Sequence, residues 1–148
     1  MYKRTILAVI LTISALLILT SCSSDSTTLD GDDLSIHQSQ ITETVLFESI
    51  LANNTVVEVM FARASDGNIR VALNTCENCH ASGNGYYVQE GNIVICQQCN
   101  MDFDIDYIGI NSGGCQPIPI EHSFNGEYIV IEYSTLSASS RWFVNSSN

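Results

Sequence analysis

Two Cys-x-x-Cys pairs separated by sixteen residues limit what this chain can fold into: Cys76-Glu77-Asn78-Cys79 and Cys96-Gln97-Gln98-Cys99. Two residues between thiols let both sulfurs point at one ion around a tight turn. Sixteen residues suffice for a hairpin that returns the second pair to face the first, the spacing that marks tetrathiolate metal sites. Such a site accepts zinc, copper, a single iron or an iron–sulfur cluster, and thiolate softness alone does not choose among them.

A fifth cysteine, Cys115, follows Gly113-Gly114 and precedes Gln116-Pro117-Ile118-Pro119. It is read as a fifth ligand, an exchanging ligand or an access gate. His80, directly after the first pair, is either an accessory ligand or an exposed residue of the turn. Competing readings exist. Cys76 to His80 also spells the attachment motif of a c-type haem, although a haem would leave Cys96 and Cys99 without a role. A disulfide framework leaves one of five thiols over. A thioredoxin-type redox pair lacks its βαβ context. Metal or cluster binding accounts for most of the pattern.

The surrounding residues predict a mainly β domain with a minor α component. Val56 to Ala64 and Ile69 to Thr75 are β-branched runs around Ser65-Asp66-Gly67-Asn68, a hairpin signal, and the second run ends on Cys76. Tyr86 to Val88 and Ile93 to Ile95 flank Gln89-Glu90-Gly91-Asn92, and that hairpin ends on Cys96. Both thiol pairs are thus expected at strand ends, as in zinc-ribbon-like knuckles. Ile41 to Leu51 is read as a strand, and Asp102 to Tyr107 as a strand with Asp102, Asp104 and Asp106 on one solvated face. Tyr128 to Tyr133 alternates as a further strand. A short helix capped by Ser134 is expected through Arg141, with Trp142 and Phe143 packed on the sheet. His122 is read as a surface residue.

The N-terminus carries an address. Lys3-Arg4 and the apolar run from Thr5 to Leu19 form a signal-peptide pattern, and Leu19-Thr20-Ser21-Cys22 resembles the lipobox of bacterial lipoproteins. Residues 1–21 are therefore expected as a signal peptide and Cys22 as the lipidated residue, anchoring the protein on the extracytoplasmic face of a bacterial membrane. Residues 22–40 are acidic and polar and are read as a flexible tether that includes a solvated His37. The cysteine-rich domain is assigned to residues 41–148.

Loss of Lys3 and Arg4 would deepen the formal charge of −11 by two, leaving three arginines against 16 acidic residues. A chain this acidic is repelled by phosphate backbones, which excludes nucleic acid as a partner. No nucleophile, base and orienting group stand out for hydrolysis.

The ordered set Ala72-Leu73-Asn74-Thr75-Cys76, Cys79, Gly85-Tyr86-Tyr87, Val94-Ile95-Cys96, Cys99 and Gly113-Gly114-Cys115-Gln116-Pro117-Ile118-Pro119 resembles the FtrD-like membrane iron–sulfur protein family. The resemblance spans roughly Val56 to Phe143, with His80 and Gln116 departing from the family pattern. It implies an iron–sulfur or related metal centre with Cys76, Cys79, Cys96, Cys99 and Cys115 as the family cysteines. It also implies electron transfer or metal handling beside an iron-transport or redox partner. A structural zinc module serving as an interaction platform is the alternative.

Overall fold

The computed structural model describes residues 30–145, so the expected signal peptide, Cys22 and the first part of the expected tether, residues 22–29, lie outside the described residues. In chain order the strands are β1 (Leu34–His37), β2 (Leu46–Ala52), β3 (Thr55–Arg63), β4 (Ile69–Cys76), β5 (Tyr87–Glu90), β6 (Ile93–Cys96), β7 (Asp102–Asp104), β8 (Pro117–Pro119), β9 (Ser123–Asn125) and β10 (Tyr128–Ile131). Helix α1 (Tyr133–Ser139) and a 3-10 turn, Ser140–Trp142, follow. The strands form three antiparallel sheets, ordered β1-β10-β9, β2-β3-β4-β8 and β5-β6-β7. The domain is mainly β, as the sequence predicts.

Local turn chemistry builds the central sheet. Asn53 and Asn54 take φ of 52° and 57°, the left-handed pair that a two-residue hairpin between β2 and β3 requires and that asparagine tolerates. Gly67 takes φ of 82° in the β3–β4 turn, where the Asp66 carboxylate accepts the Asn68 amide at 2.9 Å and pairs with Arg70 at 2.8 Å. The Asn68 side chain and then Arg70 hold the Asp66 carboxyl down at about 2.

Both faces of the centre of this sheet, where β3 and β4 pair, are buried. Val57, Val59 and Phe61 of β3 and Val71 and Leu73 of β4 join Ile36, Ile129, Ile131 and Leu136 in one apolar core. The intervening residues Met60, Ala62, Ala72 and Cys76 join Tyr87, Val94 and Cys96 in a second core on the opposite face. Each large aliphatic side chain so enclosed contributes about 1.5–3 kcal/mol. The face of β4 that carries Ala72 and Asn74 therefore leads into the cysteines.

The expected tether loses its end to the fold. Residues 34–40 form β1 and a 3-10 turn, because Leu34 and Ile36 insert into the first core while β1 pairs with β10. His37 is accordingly no tether residue: its Nδ1 accepts the Ser39 amide and its ring meets Tyr128 edge-on at 5.0 Å. The strand read from Ile41 begins only at Leu46, although Ile41 and Val45 are buried. The acidic strand is also shorter than expected. Asp104 accepts the Asp106 amide at 2.9 Å and caps a 3-10 turn, Ile105–Tyr107, which breaks the alternation. Asp106 instead accepts the Ser65 amide at 2.6 Å and the Ser65 hydroxyl. Ser134 does not cap α1. The helix starts at Tyr133, whose amide donates to Asp33 at 2.7 Å. Trp142 and Phe143 pack against the first core as expected.

Gly109 shows how tightly the second face is closed. Its φ is 70°, and an added Cβ would stand 2.1 Å from the Val71 carbonyl oxygen. Gly109→Ala is expected to lower stability in urea unfolding by about 2 kcal/mol or more, combining left-handed strain with a backbone clash. Gly126→Ala, at φ of 64° with open space around it, should cost only about 1 kcal/mol. Equal losses would disprove the close approach.

Candidate metal centre

Three elements deliver the five thiols. Strand β4 ends on Cys76 and β6 on Cys96, so each Cys-x-x-Cys turn leaves a strand end as the sequence predicts. The two turns are joined through the residues between them: the Cys76 amide donates to Gly85 O at 3.1 Å and the Gln97 amide to Tyr86 O at 2.9 Å. Edge strand β8 supplies the third arm. Pro117 lies opposite Cys76 and Pro119 opposite Ala72, with a register shift between. Prolines lack a ladder donor and suit this outer position. Cys115, two residues before β8, is thereby brought over the first pair, where Gly114 O accepts the Asn78 amide at 3.3 Å.

The sulfurs converge. Those of Cys76, Cys79 and Cys96 lie within 4.8 Å of one another, and so do those of Cys79, Cys99 and Cys115. All five are free thiols. Cys76 and Cys96 are 0% exposed and Cys79 8%, whereas Cys115 is half-buried and Cys99 exposed. The cluster has a closed side and an open edge.

Backbone amides prepare it for a metal. The Cys79 amide donates to the Cys76 sulfur at 3.2 Å, and the Met101 amide donates to the Cys99 sulfur. That Met101 bond leads the interactions that hold the Cys99 thiol below its ordinary value. Burial pushes the Cys76 and Cys79 thiols up. Gly85 is packed so closely on the first turn that a Cβ would meet the Cys79 carbonyl carbon at 2.6 Å. Convergent soft donors, amides aimed at sulfur and a packed turn all fit a thiolate-bound metal or cluster.

Other candidates are placed elsewhere. His80 turns away from the sulfurs. Its Nδ1, facing only the Glu77 carbonyl at 2.7 Å, carries the proton and donates, and its ring meets Trp142 edge-on at 4.9 Å. The Cys76 to His80 run thus offers no outward pair of sulfurs to a haem, since both are buried beside Cys96. His122 is exposed, bound to Ile120 O at 3.0 Å.

Sequence reasoning missed three supports. The Tyr87 hydroxyl donates to the Cys115 carbonyl and lies within hydrogen-bonding reach of the Cys76 sulfur, and burial pushes its ionisation up. Buried Asn74 accepts the Tyr87 amide at 2.8 Å and donates to Glu58, tying β5 to β4. Asn100 takes φ of 58° to close the second turn. An asparagine directly after a Cys-x-x-Cys pair was the one signal available, because asparagine tolerates that conformation.

These features define a class: a small β-rich domain that presents a converged cysteine cluster able to hold a metal. The chain belongs to the FtrD-like family of membrane iron–sulfur containing proteins, whose pattern matches residues 41–143. No curated protein matches it. Among solved structures, the quaternary ammonium Rieske monooxygenase CntA in complex with an inhibitor resembles it at a TM-score of 0.46 and 11% identity, over 74% of this chain and 32% of that one. Naphthalene 1,2-dioxygenase with indole bound in the active site does so at 0.43 and 15%, over 72% and 27%. The chain thus spans about a third or less of either structure.

The buried thiols dictate a pH response. Unfolded thiols shed protons near the ordinary value of 9.0, while folded Cys76 and Cys79 hold theirs to higher pH. Above about pH 9 the unfolded state binds fewer protons, so stability falls as pH rises. The metal-free protein is expected to lose several degrees of Tm between about pH 8 and pH 10 in thermal scans. A metal-loaded sample should not show this loss, because its thiols are already deprotonated.

Proposed function

We propose that this protein is an electron carrier at a membrane surface, that its cysteines hold an iron or iron–sulfur group, and that it serves iron uptake or handling. Such a group, when bound, gains and loses single electrons. The graded burial of the sulfurs is the observation that favours this reading, with three enclosed, Cys115 half-buried and Cys99 at the surface. A structural zinc site is complete with four closed ligands. A fifth sulfur and an open edge are more than such a site needs, and they suit a centre that must be shielded yet approached by a partner. The family's description as membrane iron–sulfur proteins favours iron over zinc or copper.

The protein's own groups set the terms of exchange. The amides of Cys79 and Met101 donate to sulfur and stabilise the more negatively charged, reduced state. Tyr87 holds the Cys115 loop in place over the cluster through the Cys115 carbonyl. The chain's excess of acidic residues, 16 against five basic ones, steers it toward a partner with a basic face. Membrane attachment in this reading rests on acylation of Cys22; among the described residues no helix is long and apolar enough to cross a membrane.

Protein purified without oxygen is expected to contain iron and to show visible absorption that bleaches with dithionite. Colourless protein with zinc would refute the electron-carrier reading. The anchor has its own check: Cys22→Ala should move most of the protein from the membrane fraction to the soluble fraction, and unchanged membrane retention would count against lipidation.

A further inference from the structure

The five sulfurs lie in one cluster, with Cys99 within reach of Cys96 as well as of Cys79 and Cys115. They fall into two triplets, Cys76, Cys79 and Cys96 on the buried side and Cys79, Cys99 and Cys115 toward the surface, with Cys79 common to both. We propose that the cluster holds two metal atoms, an inner one on the first triplet and an outer one on the second, bridged by the Cys79 thiolate. This deepens the metal-binding part of the function proposed above and does not depend on electron transfer.

Distance favours it first. A metal–sulfur bond of about 2.3 Å brings the sulfurs on one tetrahedral ion to about 3.8 Å from each other. Each triplet already lies within 4.8 Å, so small inward movements close it on one atom. A cube-shaped cluster assigns one cysteine to each iron and spreads its cysteine sulfurs around the outside. Three sulfurs gathered this closely point instead at a single atom, and here that happens twice.

Charge favours it next. Five thiolates around one divalent ion would keep a formal charge of about −3, and around two about −1, which matters in a largely buried site. Among the described residues no arginine supplies the difference. Arg63 donates to Ile41 O, Gly67 O and Gln38 O, Arg70 to Asp66 and Asp106 O, and Arg141 lies over Trp142.

The shared residue is held firmly by its own turn. The Cys79 carbonyl accepts the Ser82 hydroxyl at 2.7 Å and the Ser82 amide at 3.0 Å, with Gly85 packed against it. The outer triplet is looser, with exposed Cys99 and a Cys115 sulfur that Asn78 Nδ2 approaches only to 4.0 Å. Each triplet leaves a tetrahedral atom one further position, and the outer one faces the open edge. The outer atom is the one that exchanges.

Anaerobic titration of reduced, metal-free protein with cadmium(II), followed by thiolate charge-transfer absorbance and native mass, tests the count. Wild type should take two cadmium ions in two steps, and cadmium NMR should show two resonances coupled through the shared sulfur. Cys115→Ser and, separately, Cys99→Ser should abolish the second step while leaving the first affinity within about threefold. Cys79→Ser should remove the coupling. A one-cadmium end point in wild type, two uncoupled resonances, or two retained ions in both outer-triplet variants would overturn the proposal. Zinc as the native metal would refute the electron-carrier reading and leave the two-atom count standing; a one-cadmium end point in an iron-containing, dithionite-responsive protein would do the reverse.

Discussion

Strand β4 is buried on both faces, and the rest of the molecule follows from that constraint. Val71 and Leu73 on one side and Ala72 and Cys76 on the other belong to two separate cores. A strand enclosed in this way must be covered twice, by β1, β10 and α1 on one side and by the β5–β6 hairpin on the other. The second cover brings Cys96 to Cys76, and the pairing of β8 along the same strand brings Cys115. The cysteines meet because a hydrophobic sheet needed a second lid.

That lid carries thiols that must lose their protons to bind a metal, which sets the energetic problem of the site. Thiols are small and apolar enough to be buried when protonated, and burial holds Cys76 and Cys79 in that form. Thiolates there require a cation. The fold supplies partial charges, from the Cys79 and Met101 amides, and leaves the full charge to a metal.

The parts of this arrangement that were legible in the sequence are those encoded locally. Gly67 and Gly91 mark the turns, the β-branched runs flank them, and the strand ends fall on Cys76 and Cys96. The spacing of the thiol pairs was enough to foresee convergence. What escaped is long-range or context-dependent. Strand β1 contributes only Leu34 and Ile36 to the core within an acidic stretch, and its partner β10 lies near the other end of the chain. Alternation from Asp102 to Tyr107 suggested one strand, yet a single side-chain cap by Asp104 outcompeted the ladder. The junction position of Cys79 and the reach of Tyr87 to the Cys115 loop arise only when three arms of the chain meet.

The separation of the two cores has a consequence for how the protein matures. One core is all hydrocarbon and owes nothing to cysteine chemistry, whereas Cys76, Cys79, Cys96 and Cys115 lie in or against the other. The first therefore packs without any metal. The second is then held ready, its sulfurs gathered but protonated, as a receptacle to be filled afterwards. The two cores thus have distinct requirements, hydrocarbon burial for one and, on the reading proposed above, a metal for the other.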